Sequence, residues 1–277
     1  QWWWVSVGND QHDEPWLDEA FATYSESLYY EWVYGRERGE WAFKFFVGRD
    51  YMSFLAVRDD LPAGKDVEFY GDDEEAYFTI VYNKGAYILR MLRFMVGDEV
   101  FLKILKTYFE RYKFKIARIR DFISVCEEVS GLELDWFFNQ WLYSAGVPKL
   151  SIVSAEASRV NGKYKVKVVV SQDKMMKVLI PVLIETSKGD FVEKAWINSS
   201  LVELEFTLDY KPKKVVLDPE EVTCCLKEIS EARVVLSSGG SMETPSATRG
   251  ESFTLTVAVL LVVTVVLIVV WRLRKGI

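Results

Sequence analysis

Residues 1–26 read QWWWVSVGNDQHDEPWLDEAFATYSE, and the fold is read outward from this stretch. Pro15 suits the first turn of a helix, where the N–H it lacks would have no partner anyway. Trp16, Ala20, Phe21, Tyr24, Leu28 and Trp32 then recur at helical spacing and define one apolar stripe. Glu19 lies beside that stripe, among Trp16, Leu17, Ala20 and Phe21. An unpaired carboxylate is costly to bury, so Glu19 either faces water or meets a cation. Taken alone, the water-facing alternative is the commoner one. His12 is the only histidine in the chain and falls in a loop between Asn9 and Pro15. It cannot form an i, i+4 pair with Glu19, and it reads as a surface histidine or a supporting one.

Helical spacing continues to about Pro148. KGAYILRMLRFMVG predicts a helix that stops at Gly97, and Asp98 is expected to cap the next, DEVFLKILKTYFERY, with Phe101, Ile104, Leu105, Tyr108 and Tyr112 inward. A further helix is expected from near Asp121 to Gly131, and another over LDWFFNQWLYSAG, ending near Gly146. The four acids in GDDEEAYF (71–78) complement a helix dipole. After Pro148 the period changes to two. KYKVKVVV sets Tyr164, Val166, Val168 and Val170 against three lysines, and LVELEFTL sets Val202, Leu204, Phe206 and Leu208 against Glu203 and Glu205. With VLIPVLIE and KKVVLDP these short strands predict a small β-sandwich. The fold class is therefore α+β.

The expected organisation is a helical part over 1–147, the β-sandwich over 148–230, a flexible linker over 231–252, a transmembrane helix over 253–271 and a basic tail over 272–277. FTLTVAVLLVVTVVLIVVW (253–271) carries no charge, and as a helix it would be about 28 Å long, close to the ~30 Å hydrocarbon core. Arg272, Arg274 and Lys275 follow it. The positive-inside rule then predicts a single-pass protein of the cell membrane, with the tail cytoplasmic and the preceding residues outside. Asn198-Ser199-Ser200 is a glycosylation sequon consistent with that side. The net charge of −7 over 277 residues argues against a nucleic-acid partner. Cys126, Cys224 and Cys225 form neither a disulfide framework nor a metal-ligand pattern, and read as buried thiols.

The opening stretch closely resembles the gluzincin aminopeptidases of peptidase family M1. That family's zinc site is His-Glu-x-x-His, eighteen residues, then Glu, and the second His is followed by Gln-Trp. Eighteen residues separate Glu19 from the position before Gln1. The resemblance thus makes Glu19 the third zinc ligand, Asp18 a candidate for orienting it, and QWWW the end of the metal-binding helix. IVYNKGAYILRML (80–92) matches the family's Tyr-x-Lys-Gly-Ala segment, which makes Tyr82 the counterpart of the tyrosine that stabilises the oxyanion. Gln140-Trp141 and Gly146-x-Pro148 match the end of the family's catalytic domain. The fold implied is the α-helical C-terminal lobe of a thermolysin-like domain, followed by the sandwich and the membrane helix.

What the resemblance implies is part of a membrane-anchored, zinc-dependent aminopeptidase that removes N-terminal residues from peptides, with zinc-bound water as nucleophile. Peptides and, through 253–271, the lipid bilayer are the expected partners. The family's His-Glu-x-x-His and Gly-x-Met-Glu-Asn segments are not found in this sequence, so the chain by itself is expected to bind zinc poorly and to be inactive. The alternatives are a non-catalytic, membrane-tethered binding or scaffold relative, and a truncated product with no function of its own.

Overall fold

The structure, a computed structural model, describes residues 2–236. Its helical part begins at α1 (Trp16–Tyr34), which buries Trp16, Ala20, Phe21 and Tyr24. The stripe does not run the whole length: Trp32 is 84% exposed. The inward side shifts to Ser27 and Glu31, because α2 (Arg36–Phe43) folds back there and sets Gly39 against both. A π-helical turn (Lys44–Gly48) leads into α3 (Arg49–Leu55). The wider turn breaks the 3.6-residue period, which is why this helical stretch has no clear stripe in the sequence. Next come a 3-10 turn (Val67–Tyr70), α4 (Glu74–Tyr77), a second π-helical segment (Phe78–Lys84) and α5 (Gly85–Val96), the last three joined without leaving helical backbone.

Helix α6 (Asp98–Tyr112) has its expected apolar face, but Gly97 rather than Asp98 takes the N-cap position. Gly97 has φ +88°, a conformation suited to glycine, and it closes α5 and opens α6 at once. Asp98 instead bonds Arg93 at 2.8 Å. Helix α7 (Ile119–Ser130) starts two residues before Asp121, whose carboxylate accepts the Arg118 N–H at 2.9 Å and so caps the helix from inside. Helix α8 (Asp135–Trp141) stops short of Gly146. Residues 2–8 are not the end of a helix. They form turns and isolated bridges, with Trp4 at φ +73° and its N–H on the Val7 carbonyl. Trp3 folds onto α1, with its ring 5.1 Å from Phe21.

The strands are β1 (Lys149–Val160), β2 (Lys163–Gln172), β3 (Val178–Thr186), β4 (Gly189–Ile197), β5 (Leu201–Leu208), β6 (Pro212–Leu217), β7 (Leu226–Ile229), β8 (Glu231–Arg233) and β9 (Val235–Leu236). They form two sheets: β5-β2-β1-β7, with β9 also on β1, and β4-β3-β6-β8. The register of β2 on β5 pairs Val166 with Phe206, Val168 with Leu204 and Val170 with Val202. Phe191 of β4 meets Phe206 of β5 at 6.3 Å, so apolar faces of the two sheets touch.

Several contacts fasten the sheets to the helices, among them a Lys194 ammonium from β4 that donates to the Phe94 carbonyl of α5. Gln140 exchanges hydrogen bonds with the Lys177 backbone at 2.9 and 3.0 Å, and the Lys177 ammonium lies 4.1 Å from the Trp136 ring and 4.8 Å from the Trp196 ring. Residues 218–225 form a strap against α5. Asp218, fully buried, accepts the Val222 and Thr223 N–H groups at 2.7 and 3.1 Å; Arg90 donates to the Glu220 carbonyl at 2.9 Å, and Cys224 meets Met91. All three cysteines are free and buried, as expected.

The fold class needs one correction. Among the described residues, a helical region is followed by two β-sheets, and no helix is long and apolar enough to cross a membrane. The expected span over 253–271 lies outside the described residues. The single-pass topology, the bilayer partner and the membrane localisation therefore have no support in the fold.

Candidate active site

Two helical segments bring Glu19 and Tyr82 together from positions far apart in the chain. Glu19 lies in the first turn of α1, and Tyr82 in the π-helical segment. Their approach depends on a missing side chain. A Cβ on Gly85 would lie 2.6 Å from the Ala20 Cβ and 2.8 Å from the Trp16 Cδ1. Only glycine allows α5 to cross α1 this closely, one residue past Glu19 and three past Tyr82. Trp16 is held in turn by edge contacts to Phe21, Phe122 and Phe138.

The Tyr82 phenol lies within interacting range of the Glu19 carboxylate, and both side chains are half-buried. Partial burial pushes the Glu19 carboxyl above its usual range; the Tyr82 hydrogen bond opposes this and the Asp18 charge adds to it. Burial, then the bond to Glu19 and its charge, push the Tyr82 phenol far up, so it stays a protonated donor at neutral pH. Tyr77, packed edge-on to Tyr82 at 5.9 Å, is raised to about 12 by burial and by the charges of Glu19 and Asp18.

Asp18 is buried, and both its oxygens are occupied, by the Asn9 and Gln11 amides at 2.8 Å each. It steadies the loop before α1 and reaches Glu19 through its charge. The buried Asn9 Oδ1 has no hydrogen-bond partner. His12 is exposed and paired with Asp13 at 3.2 Å and Glu68 at 3.6 Å, away from Glu19's partners. Asn198 is exposed in the turn after β4. An open groove lined by Lys211, Lys213, Lys214 and Arg233 shares no residue with the Glu19–Tyr82 pair.

No group of three or more His, Cys, Asp or Glu able to hold a metal ion occurs among the described residues. A zinc-bound water acting as nucleophile within this chain is therefore withdrawn. The described residues do not by themselves assemble a metal site. Glu19 is nonetheless a suitable single carboxylate, half-buried and free of any Lys or Arg partner among the described residues.

A buried ion pair behind Tyr82 escaped the sequence reading. Lys84 and Asp60 are 2.8 Å apart, with side chains 1% and 2% exposed. A lysine within the largely apolar stretch IVYNKGAYIL was the available signal, since such a charge must find a partner. Nothing in Asp59-Asp60-Leu61-Pro62 marks that partner.

Comparison with known proteins fits this arrangement. The family model described as the Peptidase family M1 domain matches residues 1–141. Aminopeptidase N of Streptomyces lividans is 30% identical over 152 residues, 53% of this chain and 16% of the relative. Probable aminopeptidase 2 of Sulfurisphaera tokodaii is 31% identical over 170 residues, 58% of this chain and 20% of the relative. Aminopeptidase N of Lactococcus lactis is 32% identical over 161 residues, 56% of this chain and 18% of the relative. The fold is shared with a crystal structure of Legionella pneumophila aminopeptidase A in complex with aspartic acid, at TM-score 0.56 and 18% identity over 78% of this chain and 24% of that one. The class defined is that of a peptidase relative with an α+β architecture. The chain belongs to peptidase family M1. It spans a fifth or less of the length of these curated relatives.

Proposed function

We propose that this chain is the part of an M1-family aminopeptidase that supplies one wall of its active site, with Glu19 and Tyr82 as the functional groups. The supporting observation is that the π-helical segment brings the Tyr82 phenol within interacting range of the Glu19 carboxylate of α1, each side chain half-buried. Glu19 would supply one carboxylate to a zinc ion, which would need further ligands besides it. A zinc ion bound there would supply Lewis-acid chemistry toward a peptide carbonyl. Tyr82 donates a hydrogen bond to the oxygen on which negative charge grows, a contribution commonly worth about 3–4 kcal/mol. Asp18 holds the entry to α1, and its charge adds a small part to the upward shift that burial and Glu19 impose on the Tyr82 phenol. Peptides with a free N-terminus are the substrate class.

The test uses the longest product of the reading frame that encodes this chain, assayed for release of the first residue from short peptides. Tyr82→Phe is expected to lower kcat by about 10²- to 10³-fold with little change in KM. An unchanged kcat removes Tyr82 from the chemistry. Peptide binding without release would favour the non-catalytic alternative.

A further inference from the structure

We propose that Lys84 and Asp60 form a positioning pair for Tyr82, an ion pair that fixes the rotation of the π-helical segment so that the phenol faces Glu19. The inference rests on the reading of Tyr82 as a site residue and goes beyond it, to how the Tyr-x-Lys-Gly-Ala segment works as a unit.

The Lys84 ammonium uses all three of its donors. It bonds the Asp60 Oδ2 at 2.8 Å, the Leu61 carbonyl at 2.6 Å and the Ser144 carbonyl at 3.2 Å. Asp60 is equally saturated, taking the Tyr51 hydroxyl at 2.7 Å and the Gly146 N–H at 2.7 Å. The pair therefore ties α3, the loop at 60–61, the π-helical segment and the loop at 144–146 to one point.

Stability alone does not account for it. Well-packed apolar side chains of similar volume commonly do as well as a buried ion pair or better. What the pair adds is direction: three N–H bonds at set angles resist sliding and rotation of the segment in a way that a greasy contact does not. Rotation matters here. The tyrosine oxygen stands roughly 9 Å from the helix axis, given a Cα radius of about 2.3 Å. A turn of about 10° would sweep it by roughly 1.5 Å, and a misplacement of about 1 Å is enough to cost about 10²-fold in rate. Lys84 points into the body of the protein while Tyr82, two residues earlier, is half-exposed. Gly85, the next residue, rests on Ala20 and Trp16. Lys84 thus sets the segment against the loops behind it, and Gly85 sets it against the helix that carries Glu19.

The experiment uses this chain and needs no catalysis. Tyrosine labelled with ¹³C at Cζ reports the hydrogen bonding of the phenol, and the Tyr82 resonance is assigned with Tyr82→Phe. Glu19→Gln is expected to shift that resonance in the otherwise wild-type chain. In Lys84→Met/Asp60→Asn, where the charge is removed as a pair, and in Lys84→Arg, where the charge is kept but its geometry changed, the response to Glu19→Gln is expected to fall by at least half. Far-ultraviolet circular dichroism identifies which of the two is folded. A folded variant that keeps the full wild-type response overturns the positioning role and leaves the functional reading of Tyr82 intact. A wild type with no response to Glu19→Gln removes the Tyr82–Glu19 contact itself, and both readings fall with it.

Discussion

Gly85→Ala tests the helix crossing on which the site depends. The added methyl would sit 2.6 Å from the Ala20 Cβ, 2.8 Å from the Trp16 Cδ1 and 3.0 Å from the Trp16 Nε1. Carbon atoms in good contact are about 3.5–4.0 Å apart, so α1 and α5 must separate by roughly 1 Å. Trp16 and Ala20 have no exposed surface through which to yield. Overpacking of this kind costs about 1–3 kcal/mol, and full enclosure puts this case near the top. Alanine's better helix propensity returns about 1 kcal/mol. The expected net loss is about 2 kcal/mol, seen as a fall in Tm of about 4–8 °C and a lower urea midpoint with an unchanged slope. The same separation would draw Tyr82 from Glu19. A double-mutant cycle isolates the contact: Ala20→Gly should cost less in the Gly85→Ala background than in the wild type, by at least about 0.5 kcal/mol. Additive effects, or a Gly85→Ala chain as stable as the wild type, would refute the close crossing.

Lys84→Met alone strands the Asp60 carboxylate in the interior and should cost about 3–5 kcal/mol in urea unfolding, most of it recovered when Asp60→Asn is added. Glu19→Gln should raise thermal stability at pH 7. The folded state holds the Glu19 carboxyl above its ordinary value of 4.5, so folding is favoured by the protonated form below pH 4.5 and that advantage is lost as pH rises through the raised folded value; melts at neutral and acidic pH should therefore converge for variant and wild type at the acidic end. Asp73 behaves oppositely. The Arg58 guanidinium and the Ala76 N–H lower its carboxyl from 3.8 to about 2, so its contribution is present above 3.8 and lost as pH falls toward about 2. Asp73→Asn should flatten that part of the stability–pH curve, and added salt should shrink the difference because the Arg58–Asp73 pair is partly exposed.

Helices α5, α6 and α7 and strands β2 and β5 were legible because one periodicity holds through each of them. Helices α2 and α3 were not, because the π-helical turn between them resets the period. Strand β1 was hidden for a similar reason: its register slips between Ile152 and Ser154, and the bulge spoils the alternation. Glu19 and Tyr82 could be paired only through motif spacing, since periodicity places each on its own helix and says nothing of how the helices cross. Gly85 carried that information, but a glycine after a lysine announces no partner by itself. Asp60 was beyond reach, because an acid in an Asp-Asp-Leu-Pro loop looks the same whether solvated or buried.

The strap over residues 218–225 has a practical consequence for rebuilding the site from pieces. Cutting between α8 and β1 would appear natural, since helices give way to strands there. Yet the helices would lose the Glu220 carbonyl that accepts from Arg90 and the thiol that meets Met91, while the sheets would lose the Gln140 clasp. Either piece alone would show a freshly opened face to water. A complementation or fusion experiment should keep the chain joined through at least Cys225 and introduce new partners elsewhere, because the last residues of the strap complete a structure that the first helices begin.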